Sequence, residues 1–329
     1  MQRFAPISGY LFRYYCVADK QHIMNGNEHT RTSIRRNSPT AWILASRPKT
    51  LAGAAVPVVT GVAAAVDALG WGGIMIVPAV LCLLFALIMQ IAANLINDYF
   101  DCASGNDGND RIGPLRACAM GWVTPAAMKK AIAATVVVAC LCGLPLVLYG
   151  GMEMILVGAL CVVFCFLYTT HLSYMGLGDV LVLIFFGIVP VTMTYYIQTR
   201  TVTIEALLLS VACGLVIDTL LIINNYRDFE NDRRSGKNTL VTRMGIRAGG
   251  YFYLAAGLTA AVVAILTNVF NGSKTSGWLP LIYVAMHVIT YIRMIRIKKG
   301  SRLNAILGET SRNIIIFGLT TAMAILIRI

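Results

Sequence analysis

The chain has 329 residues, of which 57% are hydrophobic and only 13% are charged. Soluble domains are usually about 45–50% apolar and about 25% charged, so this composition excludes an ordinary soluble protein, and its hydrophobicity excludes a disordered one. The formal net charge is +12, which suits a protein that faces anionic lipid or binds an anionic substrate. No soluble segment is long enough for a nucleic-acid-binding module, so we expect membrane lipid and no nucleic acid among the partners.

Several stretches are apolar and long enough to cross a bilayer, for which a helix needs about 20 residues. Glycine and proline inside these stretches are compatible with membrane helices. The sequence therefore predicts an all-α, polytopic membrane protein with about nine transmembrane helices. The predicted spans are residues 40–66, 73–99, 126–148, 151–170, 177–198, 203–226, 248–269, 278–298 and 311–328.

The distribution of lysine and arginine predicts the orientation of these spans. If the N-terminus is cytoplasmic, the outer loops and the C-terminus hold only Arg200, Lys274 and Arg328. This asymmetry follows the positive-inside rule, so we expect a multi-pass protein of the cell (inner) membrane with its N-terminus inside. Residues 1–38 are polar and basic and lack the apolar core of a signal peptide. They are predicted to form a disordered cytoplasmic tail, and residues 39–329 the membrane domain.

More than half of the 15 acidic residues occupy two short segments, each at the end of a predicted span. In each segment, asparagine and aspartate recur at the spacing of one helical face. Both residue types are poor helix formers, and acids at membrane depth are costly unless they face the bundle interior. In the predicted orientation, the two segments open on the same side of the membrane. The residues at this spacing are Asn94, Asn97, Asp98 and Asp101 in the first segment and Asn225, Asp228 and Asp232 in the second. The other acids of the two segments are Asp107, Asp110, Asp218 and Glu230.

The chemistry of these side chains predicts a metal site shared with an anion. Magnesium prefers oxygen ligands and is commonly held by one or two carboxylates together with phosphate oxygens of a substrate. Basic residues are interleaved with the acids, and arginine matches the geometry of phosphate. We therefore expect a clamp for Mg²⁺ and a diphosphate. The interleaved basic residues are Arg111, Arg116, Arg227, Arg233, Arg234 and Lys237; Arg233 and Arg234 fit equally well as positive-inside charges.

Two questions stay open at this stage. Asp218 lies deeper in the membrane on the second acidic face, where it could act in the cavity or pair with a neighbour. A secondary transporter is the alternative from another functional class, because transporters also carry intramembrane acids. Transporters usually bind ions near the bilayer midplane at broken helices, whereas these acids gather at one face, which favours an enzyme.

The pattern Asn-x-x-Asn-Asp-x-x-Asp, with a second aspartate-rich string four spans later, resembles the UbiA superfamily of intramembrane prenyltransferases. Within it, the resemblance is greatest to the branch that prenylates 1,4-dihydroxy-2-naphthoate in menaquinone synthesis. It covers about residues 40–329. Gly105 stands where many members have aspartate, and 170–172 replaces a Gly-Gly-Pro run. The matching blocks are 45–51, the first acidic segment continued to Arg116, Tyr168 with 176–179 and 185–187, and 224–240.

This resemblance implies helices around a central cavity that opens toward the cytoplasm, with two Mg²⁺ ions at its inner mouth. It implies transfer of a polyprenyl group from polyprenyl diphosphate to 1,4-dihydroxy-2-naphthoate, with loss of CO2, to give a demethylmenaquinol. Another aromatic acceptor is the alternative. The expected metal ligands are Asn97, Asp98, Asp101, Asn225, Asp228 and Asp232, of which the four aspartates are also expected to be catalytic. The expected substrate contacts are Asn94, Asp107, Arg111, Arg116, Tyr168, Arg227, Lys237 and Lys49.

Overall fold

The computed structural model describes residues 34–104, 112–273 and 275–327. Within these ranges the chain contains helices and no strands. Nine of the helices in the described residues are long and apolar enough to cross a membrane. The predicted all-α, polytopic fold is therefore confirmed. Residues 1–33 of the predicted tail lie outside the described residues, so the division into tail and membrane domain stays a prediction, as does the orientation.

Short irregular turns join or extend several of the spans. Two π-helical turns, Tyr168–Leu172 and Leu183–Ile188, lie at the end of the fourth span and within the fifth. In chain order, the helices are α1 Pro39–Ser46, α2 Ala52–Leu69, α3 Ile76–Ala103, α4 Pro125–Gly143, α5 Val147–Gly150, α6 Glu153–Leu167, α7 Gly178–Val182, α8 Val189–Thr199, α9 Ile204–Arg227, α10 Phe229–Arg234, α11 Leu240–Met244, α12 Ile246–Phe270, α13 Leu281–Ile297 and α14 Leu303–Ile327.

The first predicted span is interrupted, so the prediction of one helix over 40–66 was wrong in its extent. Helix α1 ends at Ser46 and α2 begins at Ala52. Between them, Arg47 adopts a left-handed conformation with φ 50° and ψ 68°, and Pro48 begins a 3₁₀ turn. Proline disfavours the α conformation in the residue before it and cannot donate a backbone hydrogen bond, which explains the break. The membrane-length helix is therefore α2 alone.

Helix α9 occupies the centre of the bundle. Its residues Ala212, Cys213 and Val216 are completely buried and belong to a core that also includes residues of α2, α8, α12 and α14. Glycine permits a particularly close approach where the fifth span crosses α9. A Cβ atom added to Gly187 would lie only 2.6 Å from the Cα atom of Gly214. Small residues at helix crossings are the usual means of close packing in membranes, and this crossing aligns the start of the fifth span with the C-terminal half of α9.

Candidate functional site

The first acidic segment forms the last turns of α3. One part of its polar face forms hydrogen bonds with the turn that separates α1 from α2. The amide nitrogen of Asn94 donates to the carbonyl oxygen of Ser46 at 2.8 Å and to the hydroxyl of Thr50 at 2.9 Å. Gln90, one turn earlier, donates to the same hydroxyl at 3.2 Å. These bonds fasten the turn between α1 and α2 to α3. The predicted contact of Asn94 with substrate stays a prediction.

Asp98 is turned into the protein and holds the loop that follows α3. Its two carboxylate oxygens accept hydrogen bonds from the backbone N–H groups of Ala117, at 2.9 Å, and Cys118, at 3.0 Å. The residue is only 1% exposed. Charge-assisted bonds of this kind are among the stronger protein hydrogen bonds. Asp98 therefore positions the segment that carries Arg116, and its predicted role as a metal ligand stays a prediction.

Asn97 and Asp101, on the same polar face of α3, contact the fourth span and the loop after α3. The side-chain oxygen of Asn97 accepts a hydrogen bond of 2.7 Å from the Thr169 hydroxyl, in the π-helical turn of the fourth span. Asp101 forms an ion pair with Arg116, which returns from the loop after α3. Asp98 and Asp101 thus have different surroundings, since Asp98 binds backbone amides and Asp101 binds a buried guanidinium.

The second acidic segment begins with a bidentate ion pair between neighbours in the chain. The Nε and Nη2 atoms of Arg227 donate to the two carboxylate oxygens of Asp228, at 2.8 and 2.6 Å. The remaining Nη1 atom donates to Asn304 of α14 at 3.1 Å. Asn304 in turn donates to the carbonyl of Ile112 at 2.9 Å. This chain of bonds ties the loop after the first acidic segment to the start of the second.

Asp232 shows that the two segments meet. Burial raises the pKa of Asp232 to about 6, Asp228 and Asp101 raise the pKa through their negative charges, and Lys237 and Arg227 lower it. The Lys237 nitrogen lies 3.8 Å from a carboxylate oxygen of Asp232. Because Asp101 belongs to α3 and Asp232 to α10, their electrostatic interaction requires that the ends of these distant segments lie side by side.

The result is a cluster of three ion pairs, which we call the ion-pair cluster: Asp101–Arg116, Asp228–Arg227 and Asp232–Lys237. In the part of the chain that the structure describes, no group of three His, Cys, Asp or Glu side chains is arranged to hold a metal by itself. That is compatible with Mg²⁺, which commonly completes its coordination with water and substrate phosphate. The cluster offers oxygen ligands for a cation and basic groups for an anion within one site.

A small pocket lies beside the ion-pair cluster, with a volume of about 10 Å³. It is large enough for roughly one water molecule. Its lining brings together the fourth, fifth and sixth spans, the loop between the fourth and fifth spans, and the loop after the second acidic segment. The polar lining residues include Tyr168, Asn225 and Lys237, which the sequence predicts as site residues, and also Ser173, Asp179 and Thr239.

Three predicted residues are not brought into this arrangement. The Lys49 side chain is exposed at the break between α1 and α2, where its backbone carbonyl accepts a hydrogen bond from Ser311. Asp107 and Arg111 lie outside the described residues. Their predicted roles therefore stay predictions.

Sequence reasoning missed several residues that support the site. Thr169 was missed because threonine after an apolar run carries no pattern. Asn304 is isolated at the start of the last helix and contacts Arg227 only through the tertiary fold. Asp179 did carry a signal, because it belongs to one of the blocks that resemble the prenyltransferases, yet it was not assigned a role.

Comparison with known proteins is consistent with this geometry. The profile of the UbiA prenyltransferase family matches residues 54–324. The chain belongs to the UbiA prenyltransferase family. This UbiA-family chain is 38% identical over 253 residues to a 1,4-dihydroxy-2-naphthoate octaprenyltransferase of Escherichia coli, covering 74% of this chain and 80% of the relative. It is 32% identical over 291 residues to an enzyme of the same name from Mycobacterium leprae, covering 86% and 95% of the two chains.

Solved structures share the fold of this UbiA-family protein at low sequence identity. A UbiA homologue from Aeropyrum pernix K1 aligns with a TM-score of 0.64 at 16% identity and covers 82% of this chain and 96% of its own. A homologue from Archaeoglobus fulgidus, bound to DMAPP and Mg²⁺, aligns with a TM-score of 0.57 at 15% identity, covering 86% and 99%. At these identities the comparison establishes the fold alone.

Proposed function

We propose that this UbiA-family protein transfers a polyprenyl group from a polyprenyl diphosphate to 1,4-dihydroxy-2-naphthoate, with loss of CO2, to give a demethylmenaquinol. The observation that carries the chemistry is the meeting of Asp101, Asp228 and Asp232, each with its own basic partner. The named activity of the bacterial relatives supports the acceptor. No specific observation favours another aromatic acceptor or a transporter.

The side chains of the ion-pair cluster fit a magnesium ion. Asp101, Asp228 and Asp232 would hold it, with Asn97 and Asn225. Asp98, which the sequence also predicts as a ligand, already accepts backbone N–H bonds with both carboxylate oxygens. All of these residues offer oxygen atoms, and one buried carboxylate oxygen of Asp232 has no hydrogen-bond partner among the described residues. When bound, Mg²⁺ supplies positive charge that stabilises the diphosphate as its C–O bond to the prenyl group breaks.

Arg116 and Arg227 would bind the diphosphate, and Lys237 would bind either the diphosphate or the carboxylate of the acceptor. In the structure, Arg116, Arg227 and Lys237 are paired with the three carboxylates. When the carboxylates bind a cation, the two guanidinium groups can bind phosphate oxygens instead. Fixed positive groups at the leaving diphosphate lower the barrier because negative charge grows there in the transition state. The allylic cation left behind is then attacked by the electron-rich ring carbon of the acceptor, and CO2 departs.

The site is proposed to open toward the cytoplasm from the cell membrane. The support is the concentration of lysine and arginine on the side of the acidic segments, which the positive-inside rule assigns to the cytoplasm. Labelling of single cysteines introduced at exposed positions on each side, in right-side-out and inverted vesicles, tests this orientation.

A direct assay tests the function. Membranes that contain the full chain are incubated with 1,4-dihydroxy-2-naphthoate, prenyl diphosphates of several lengths and Mg²⁺, and the products are identified by mass. We expect prenylated naphthoquinol whose mass lacks the carboxyl group, and none after EDTA treatment until Mg²⁺ is restored. Membranes with Asp228→Asn serve as the matched control. Product from another aromatic acid but not from the naphthoate would contradict the proposal.

A further inference from the structure

Two buried carboxylates lie next to the ion-pair cluster but belong to none of its pairs. Asp179, at the start of the fifth span, is 7% exposed, and Asp218, in α9, is 3% exposed. Each has one carboxylate oxygen, Oδ1, that is buried without a hydrogen-bond partner among the described residues. No ion pair recorded in the described ranges includes either of them. Such carboxylates inside a membrane protein are costly to bury and are usually functional.

The helix packing sets these two carboxylates opposite each other. The fifth span crosses α9 where Gly187 meets Gly214, and nearer the ion-pair cluster a Cβ atom on Gly178 would lie 3.3 Å from the Leu221 side chain. Residues 178–187 thus run along 214–221 in the opposite direction. Asp179 and Asp218 fall on this shared stretch and interact electrostatically. The crossing is held by contacts of glycine with backbone, so the two acids are positioned by rigid elements.

Tyr168 connects this acid pair to the ion-pair cluster. A Cβ atom on Gly178 would lie 3.9 Å from the Tyr168 hydroxyl oxygen, so the tyrosine stands beside the start of the fifth span. Tyr168 also interacts electrostatically with Asp179 and Asp218 and with Asp101 and Asp232. Asp179 and Tyr168 line the small pocket together with Lys237. Asp179 therefore lines the same pocket as Lys237 of the ion-pair cluster, and Asp218 interacts electrostatically with both Asp179 and Tyr168.

The chemistry of the pair selects what can bind to it. A buried carboxylate oxygen without a partner needs a donor, which water, an amine or a hydroxyl can supply. An aromatic acceptor with phenolic hydroxyls is such a donor, whereas its own carboxylate would be repelled by the pair. The ammonium of Lys237 lines the same pocket and would attract that carboxylate. The two ends of the acceptor are thus distinguished by charge.

We propose that Asp179 and Asp218 bind the hydroxyl groups of the aromatic acceptor and orient its ring, with the acceptor's carboxylate directed toward Lys237. The inference rests on the proposed function and adds the residues that recognise the acceptor. A phenolic O–H that donates to a carboxylate also makes the ring more electron-rich, which favours attack on the prenyl cation. The pocket is narrower than an aromatic ring, so its walls must separate when the acceptor enters.

Kinetics of the full-length protein test the proposal. Asp179→Asn and Asp218→Asn are made separately, because asparagine keeps the volume but replaces one acceptor oxygen by a donor. Glu205→Gln is the matched control, since Glu205 lies in the first turn of α9, away from the acidic segments. We expect the KM for the naphthoate to rise by about tenfold or more in both aspartate variants, while the KM for the prenyl diphosphate changes by less than about twofold. Glu205→Gln should match the wild type.

A second measurement keeps the test decisive if the variants fold poorly. Analogues of the acceptor with one hydroxyl replaced by hydrogen are measured as competitive inhibitors of the wild-type protein. We expect them to bind at least about tenfold more weakly than an analogue that keeps both hydroxyls, because a partner oxygen is left unpaired. Equal binding of the analogues, or variants whose prenyl diphosphate KM rises as much as their naphthoate KM, would overturn the proposal. Failure of the proposed function itself would appear differently, as a wild-type protein that forms no product from the naphthoate.

Discussion

Arg227 holds both carboxylate oxygens of Asp228, the residue that follows it in the chain, at 2.8 and 2.6 Å. The pair lies where α9 ends, so its geometry is set by the end of a buried helix. Asp101 and Asp232 have basic partners of their own. The carboxylates that we propose as metal ligands thus already have basic partners, and a cation that binds them competes with those partners. The displaced basic groups then become available to an anion.

This arrangement predicts that Mg²⁺ and the diphosphate bind cooperatively. We expect a non-reactive prenyl thiodiphosphate to bind the purified protein at least about tenfold more tightly with Mg²⁺ than without it, a coupling of about 1.4 kcal/mol. Calorimetric titration of the analogue in both conditions measures the difference. In Asp228→Asn the effect of Mg²⁺ should shrink, because one ligand is lost. Equal affinity of the wild type with and without Mg²⁺ would contradict the exchange of partners.

The two aspartates of the first acidic segment should respond differently to substitution. We expect Asp101→Asn to lower kcat by at least about a hundredfold and to raise the Mg²⁺ concentration needed for half-maximal rate. Asp98→Asn should lower the melting temperature because it places an amide N–H₂ group against backbone N–H groups. It should leave the Mg²⁺ requirement of the folded fraction near that of the wild type.

Mg²⁺ titrations of activity, with thermal unfolding in detergent, separate the two effects. A strongly raised Mg²⁺ requirement in folded Asp98→Asn would show that Asp98 is a metal ligand, as the sequence predicts.

Arginine geometry at the Asp101 pair gives a further prediction. Lysine keeps the charge of Arg116 but not its planar fork, so Arg116→Lys should raise the KM for prenyl diphosphate or lower kcat by at least about tenfold, roughly 1.4 kcal/mol. Arg233→Lys is the control, because Arg233 is exposed at the end of α10. Steady-state kinetics with each substrate varied in turn provide the measurement. The placement of the diphosphate beside Arg116 would be wrong if Arg116→Lys matched the wild type and Arg233→Lys failed.

The helix crossing that positions Asp179 and Asp218 can be tested through the stability of the protein. In Gly187→Ala the new Cβ atom would lie 2.5 Å from the Ser210 carbonyl oxygen and 2.6 Å from the Gly214 Cα atom, so the two helices must separate. We expect the free energy of unfolding to fall by about 1–3 kcal/mol, the usual cost of overpacking. Gly158→Ala is the matched control, since an added Cβ atom there meets nothing within 4 Å. Thermal unfolding in detergent measures both, and an unchanged melting temperature for Gly187→Ala would argue against a rigid crossing.

The sequence by itself determined the number of spans and which polar residues share the faces of α3 and of the end of α9. Hydropathy over about 20 residues is a local property, and a bilayer leaves a helical segment few alternatives, so the membrane helices could be predicted without their neighbours. The periodic spacing of asparagine and aspartate on α3 and at the end of α9 is local as well. For the same reason, the sequence placed Asp98 and Asp101 on one face but could not predict that Asp98 binds backbone amides while Asp101 binds Arg116.

Only the tertiary structure decided which side chains meet. Asp98 binds backbone amides 19 and 20 residues away in the chain, and Asn304 reaches Arg227 across 77 residues. Asp179 and Asp218 come together because Gly187 and Gly214 let two helix backbones approach closely. These contacts depend on crossing positions and helix rotation, which follow from packing of the whole bundle. Local pattern therefore specified the helices and their polar faces, and packing specified the partners within the site.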